Sequence, residues 1–145
     1  MSGPVWVEPD ALLALHEASL ARFGGTAGMR DAGLWDSALH RPRHAHDYGE
    51  KDLFVLASLL GAGIVRNHPF LDGNKRTGFL AAALFLECNG ESFQAPEEEV
   101  VVKTLALAAG AMSEAEYAEW LRASCRKKPS KGSTRKGTST RTGSG

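Results

Sequence analysis

Apolar residues at helical spacing mark out most of the chain. Leu12, Leu13, Leu15, Leu20 and Phe23 fall near helical intervals between Pro9 and Gly24. Proline suits the first turn of a helix and glycine its stop, so this pattern predicts a helix over 9–23. Gly24–Arg30, GGTAGMR, is a glycine-rich connection with room for a small hairpin around Ala27–Asp31. A short helix is expected over Gly33–His40, ended by Pro42. Asp52–Arg66 and Asn74–Cys88 are apolar on nearly every side, which places two helices at the centre of the protein. The first stops at the Asn67, His68, Pro69 step and the second at Asn89 and Gly90. Gly61, Gly63, Gly78 and Ala81–Ala83 are small enough for the two to pack closely, which offsets about 1 kcal/mol per helical glycine. Two further helices are expected over Pro96–Ala109 and Ser113–Ser124, the latter opened by a Ser113/Glu116 capping box. There is no internal repeat.

Composition narrows the class. The 145 residues are 43% apolar, enough for one globular domain. The formal charge of zero hides an asymmetry. Seven of the seventeen basic residues, and no acidic ones, lie from Arg126 onward, so residues 1–125 carry about −7 and the tail about +7. An acidic body argues against a specific DNA-binding face, which needs clustered Lys and Arg. From Pro129 the chain has no apolar residue and should be disordered; it reads as a solubilising segment. The expected organisation is therefore a folded domain over 1–125 and a disordered basic tail over 126–145. Cys88 and Cys125 read as reduced intracellular thiols. Glu8 and Asp10 interrupt any leader-like apolar stretch, and Leu53–Val65 is too short to span a membrane. A cytoplasmic protein without membrane contact is expected.

The chemistry gathers between the two central helices, in HPFLDGNKRT, His68–Thr77. A loop held by two buried helices is a natural place for function. Lys75 and Arg76 sit at the start of a helix, where a cation is unfavourable by about 0.3–1 kcal/mol. A bound polyanion would reverse that sign, drawing on free N–H groups, an amide and two cations, and Gly73 would allow close approach. Asp72 has two readings, an N-cap for the second helix or a ligand for Mg²⁺. His68 is a turn residue before Pro69 or a proton acceptor, and Arg66 is a favourable helix-end cation or a phosphate contact. Walker-type and kinase-type glycine loops and zinc-spaced Cys/His clusters are absent from the sequence. His40, His44 and His46 lie beside Arg41, Pro42 and Arg43 and read as a solvated loop rather than a metal site.

HPFLDGNKRT resembles the Fic family signature, HxFx(D/E)GN(G/K)Rxx, and its lysine is similar to the Doc (death-on-curing) branch. Leu12–Leu39 resembles the family's N-terminal helix and flap, and Phe85–Gly90 the end of its central helix, so the likeness covers roughly 5–121. It implies an all-α fold: a compact Fic-like helical bundle with a small flap or hairpin, followed here by the disordered basic tail. It implies that His68 is a general base, that Asp72 holds Mg²⁺, and that Gly73, Asn74, Lys75 and Arg76 bind the phosphates of ATP. His68, Lys75 and Arg66 become the catalytic set, and Gly28–Leu34 a flap that aligns a target segment. The Doc resemblance implies a toxin kinase that phosphorylates a threonine of elongation factor Tu and blocks translation. Gly73 is the commoner Fic form and Lys75 the Doc form. AMP transfer to a hydroxyl is therefore the alternative, and a non-catalytic Fic-fold binding protein a second one. No [S/T]xxxE[G/N] inhibitory motif is present, which implies restraint by a separate antitoxin whose helical C-terminal segment lies in a groove.

Overall fold

Two helices that are apolar almost all round form the centre of the protein, as their sequences require. In the computed structural model, which describes residues 3–129, these are α3, Leu53–Asn67, and α4, Asn74–Cys88. Leu56, Ala57, Leu60, Ile64 and Val65 of α3 and Ala81, Ala82, Phe85 and Leu86 of α4 are buried. The helices approach so closely that a Cβ on Gly78 would stand 2.8 Å from the Gly61 carbonyl oxygen and 2.6 Å from Val65 Cγ2. That close approach accounts for glycine inside two helices. Asp52 opens α3, its carboxylate accepting from the Phe54 N–H at 2.9 Å.

The other helices wrap this pair. α1, Pro9–Phe23, lies against α4; α2, Ala32–Asp47, and α6, Glu114–Ala123, lie against α3; α5, Glu97–Ala109, touches both. The expected bounds of α1 and α4 hold, and α6 begins with the expected capping box between Ser113 and Glu116. The fold is the expected all-α bundle.

Three expectations are corrected. The short helix expected to stop before Pro42 runs on to Asp47, with Pro42 inside it. A proline there removes a helical hydrogen bond, at about 3 kcal/mol in an exposed helix. Here the ring is fully buried, and the same helix presses Ala38 to within 3.2 Å of where a Cβ on Gly63 would stand. His40, His44 and His46 consequently ride on a helix and not on a solvated loop. Met29 and its neighbours form no hairpin of their own; Met29 pairs instead with Phe70. A two-stranded antiparallel sheet lies elsewhere, between β1, Glu91–Phe93, and β2, Cys125–Lys127. Strands of three residues are too short to show an alternation in sequence.

The boundary expected after Cys125 thus falls inside β2, which Glu91 pairs with Lys127. Burial, together with Glu91 and Glu87, pushes the Cys125 thiol up to about 11. Residues 130–145 of the expected tail lie outside the described residues. No helix among the described residues is long and apolar enough to cross a membrane.

Candidate active site

The site begins where α3 ends. His68 is the C-cap, with its N–H on the Ile64 carbonyl and a left-handed backbone at φ 52°. It is the one non-glycine residue with positive φ among those described. Histidine tolerates this region better than most residues, and such conformations gather at functional loops. The carbonyls left at the end of α3 are satisfied by Arg30, whose Nε donates to His68 O at 2.7 Å and Nη2 to Asn67 O at 2.8 Å. A guanidinium at that end also suits the helix dipole.

Residues 24–31 form a flap laid along the motif. Arg30 N–H and Asp31 N–H both donate to Pro69 O, at 2.6 and 3.0 Å, and Leu71 N–H donates to Gly28 O at 3.0 Å. Thr26 N–H donates to Asp72 Oδ2 at 2.7 Å. The carboxylate is therefore turned to the flap. The expected N-cap role passes to Gly73, at φ 81° and with no side-chain cap. Because the flap amide lies within reach of Asp72, it competes successfully with the start of α4.

That leaves α4 with an open N-terminus. The first helical bond runs from Thr77 N–H to Gly73 O. The N–H groups of Gly73, Asn74, Lys75 and Arg76 have no acceptor among the described residues. Four unmet donors at the positive end of a helix are an anion site in waiting. Lys75 is exposed and forms no ion pair among the described residues. Arg76 is half-buried and pinned: its guanidinium carbon lies 4.3 Å from the Phe23 ring centroid, and Nη1 donates to Ser19 Oγ at 3.2 Å.

Asn74 stitches the loop from within. Phe70 N–H donates to its Oδ1 at 2.9 Å, and its Nδ2 donates to Phe70 O at 3.0 Å. This fixes which way the amide points, so Nδ2 faces His68 Nδ1 at 3.4 Å. A donor on that side calls for a lone pair, which puts the proton of the neutral ring on Nε2.

The six candidate residues of the motif, His68, Asp72, Gly73, Asn74, Lys75 and Arg76, thus lie on one loop and the first turn of α4. Arg66 does not join them. Its guanidinium bonds Glu114 Oε2 at 3.0 Å and the carbonyls of Leu107 and Met112 at 3.3 Å, tying α3 to the turn between α5 and α6. Arg41 grips the same Glu114 with two bonds of 2.6 and 2.7 Å.

The residues present fit a hard cation that is shared with a phosphate. Asp72 Oδ2 is held by the flap, while Oδ1 accepts no bond among the described residues. Among those residues no cluster of three His, Cys, Asp or Glu could cage a metal. Mg²⁺ commonly takes one or two carboxylates and completes its shell with phosphate oxygens and water. Two cavities, of about 340 and 410 Å³, lie elsewhere, one beneath Trp6 and Trp35 and one beside β2. His68, Asp72 and Lys75 are exposed, so a ligand there would be held by donors and charge.

Sequence reasoning missed Thr26, Ser19 and His16 as parts of this site, and within the expected flap it missed the bonds of Arg30 to the end of α3. His16 carried a signal: it stands on the buried face of α1 between Leu12 and Leu20. A polar ring in an apolar stripe needs a partner.

Comparison with known proteins identifies a family and two relatives. The model of the Fic/DOC family matches residues 6–86, a stretch holding α1, the flap, α2, α3 and most of α4. The protein kinase doc of Escherichia phage P1 is 36% identical over 118 residues, covering 80% of this chain and 92% of that protein. The toxin Doc of Mycolicibacterium smegmatis is 45% identical over 71 residues, 47% of this chain and 54% of that protein. The chain belongs to the Fic/DOC family.

Proposed function

We propose that this chain is a Doc-type toxin, a kinase that uses ATP and Mg²⁺ to phosphorylate a threonine of elongation factor Tu and so stop translation. The observation that carries the reading is the N-terminus of α4, where four N–H groups have no acceptor, and Lys75 beside them no ion pair, among the described residues. The relative from phage P1, named a protein kinase, supports it.

In this reading the phosphates of ATP lie on Gly73–Arg76, with Lys75 supplying the mobile charge. Asp72 would hold Mg²⁺, which would supply charge neutralisation to the phosphates. The target threonine hydroxyl attacks the terminal phosphorus, the bond to the bridging oxygen breaks, ADP leaves, and the hydroxyl proton passes to His68. The receiving nitrogen is Nδ1, because Asn74 leaves it the lone pair. At 3.4 Å that contact is at the long limit of a hydrogen bond, so an incoming hydroxyl displaces it at small cost. The flap, already paired with the loop at Met29 and Phe70, presents the target segment. Arg66 contacts phosphate only after leaving Glu114.

Gly73 does not favour AMP transfer over phosphate transfer. At φ 81° it meets a local backbone need that holds for either reaction. Lys75 is the discriminating residue, since a long cation changes where phosphates sit. Incubation of the protein and elongation factor Tu with γ-labelled or α-labelled ATP decides the matter. Label on a threonine from the γ position alone is expected. Label from the α position alone would establish AMP transfer. No label, with growth inhibition unaffected by His68→Ala, would establish a binding protein.

Such a toxin is restrained by an antitoxin, and a helical segment with one apolar face is the expected form. Val101, Val102 and Leu105 make an exposed apolar stripe on α5 suited to it. Co-expression of a neighbouring small reading frame is expected to restore growth, and Val102→Glu to weaken the rescue.

A further inference from the structure

His16 is 3% exposed, yet it is a polar ring in the middle of an apolar helix face. Three contacts account for it, and all are with the motif. Its Nε2 lies 2.8 Å from the backbone carbonyl oxygen of Asp72. Its ring stacks on Phe70, with centroids 3.6 Å apart and planes 12° from parallel. Its Nε2 and Cδ2 stand 3.5 Å from where a Cβ on Gly73 would be. A carbonyl only accepts, so Nε2 carries the proton and donates.

The consequence follows from the planarity of the peptide unit. In a trans peptide the carbonyl oxygen and the next N–H point in opposite directions. Drawing Asp72 O toward α1 therefore turns the Gly73 N–H away from α1, outward at the start of α4. Were this peptide to flip, the carbonyl would face the anion site and repel its occupant. The flip is a rotation about ψ of Asp72 and φ of Gly73, and glycine is the residue that resists it least. The left-handed turn at Gly73 thus brings a freedom that something else must remove.

We propose that His16 is a positioning residue that latches the Asp72–Gly73 peptide so that the Gly73 N–H faces bound phosphate. It acts through the backbone and touches neither nucleotide nor target. The inference rests on the reading of this loop as the phosphate site, and the experiment separates the two.

Two substitutions divide the contacts of His16. His16→Phe keeps the ring and its stack on Phe70 but has no donor. His16→Gln carries a donor the same number of bonds from Cα but gives up the stack. ATP binding with Mg²⁺ is measured by calorimetry, and the Gly73 amide is followed by NMR during the titration. In the wild-type protein the Gly73 amide is expected to shift on saturation. In His16→Phe, ATP should bind about tenfold more weakly, the loss of one hydrogen bond to a charged group, and the Gly73 shift should shrink. KM for ATP should rise by a similar factor and kcat should fall by less. His16→Gln should recover most of the binding even where its melting temperature is the lower of the two. A purely structural role predicts the reverse order, with Phe the better replacement.

If wild-type protein binds no ATP, the phosphate-site reading fails. If it binds ATP and His16→Phe binds equally well, that reading stands and the latch is overturned. Should His16→Phe not fold, the wild-type amide decides: a Gly73 N–H unmoved by saturating ATP overturns the latch as well.

Discussion

The two central helices begin in opposite ways. α3 starts at Asp52, whose carboxylate caps Phe54 N–H and pairs with Arg122 at 2.6 Å. α4 starts at Gly73, with no side-chain cap, four N–H groups that lack an acceptor among the described residues, and two cations in its first turn. The neighbouring carboxylate that might have capped it, Asp72, is held by Thr26 of the flap. Both helices are buried and of equal length, so the need for stability is alike at both ends. One N-terminus is satisfied and the other is kept open. An open positive end beside a lysine with no ion pair among the described residues costs stability that a bound anion would restore, and that is the argument for function at α4.

The largest expected effect tests the open end directly. His68→Ala should lower phosphate transfer by about 10²–10⁴-fold, the usual contribution of a general base. Its melting temperature should fall only slightly, because the side chain is exposed and its hydrogen bond with Asn74 is long, although alanine is less at ease than histidine at φ 52°. Single-turnover kinetics with γ-labelled ATP supply the rate. A loss under tenfold would remove His68 from the role of base.

A paired substitution breaks the comparison next. Asp52→Ala removes a cap and should destabilise the fold by about 0.5–2 kcal/mol while sparing transfer. Asp72→Ala removes no helix cap and gives up only the exposed bond from Thr26 N–H, so it should cost less stability while abolishing the Mg²⁺-dependent reaction. Urea denaturation and transfer rates, measured on both variants, give four values. Equal destabilisation by the two would mean that the ends of the helices do not differ as described.

Much of this contrast was legible in the sequence, though not its cause. Asn74–Cys88 was readable because an apolar run ends cleanly at Asn89 and Gly90, and the misplaced Lys75 and Arg76 marked the start. The fate of Asp72 was not readable. Local rules favour an N-cap, and the competing donor, Thr26 N–H, is forty-six residues away. Arg66 shows the same limit, since its partner Glu114 lies forty-eight residues on. The continuation of α2 through Pro42 depends on burial of that ring, which no local pattern encodes. Local pattern therefore pointed to the candidate site, and long-range hydrogen bonds decided which of its groups are engaged.

A smaller effect has the opposite sign. Lys75→Met removes a cation from the positive end of α4 and should stabilise the apo protein by about 0.3–1 kcal/mol. It should also weaken ATP binding. A gain in stability joined to a loss of function would identify Lys75 as a residue kept at the expense of the fold. Denaturation in the presence and absence of ATP reads both, and a variant that is less stable without nucleotide would contradict the account.

The smallest effect sharpens the satisfied end. Burial raises the Asp52 carboxyl, but the Arg122 and Phe54 hydrogen bonds outweigh it and hold the group below the ordinary 3.8. A carboxyl depressed in the folded state adds stability above its unfolded value, and that stability is lost as pH falls through the folded one. Asp52→Asn retains an effective N-cap and removes only the charge. The pair with Arg122 is partly exposed, at 40% and 32%, so solvent screening limits it to under about 1 kcal/mol, roughly 3 °C in melting temperature. Wild-type protein should therefore melt slightly above Asp52→Asn at pH 7, and the gap should close below about pH 4. A gap that stays constant to pH 2 would show that Asp52 serves α3 as a cap alone, with no part played by its charge.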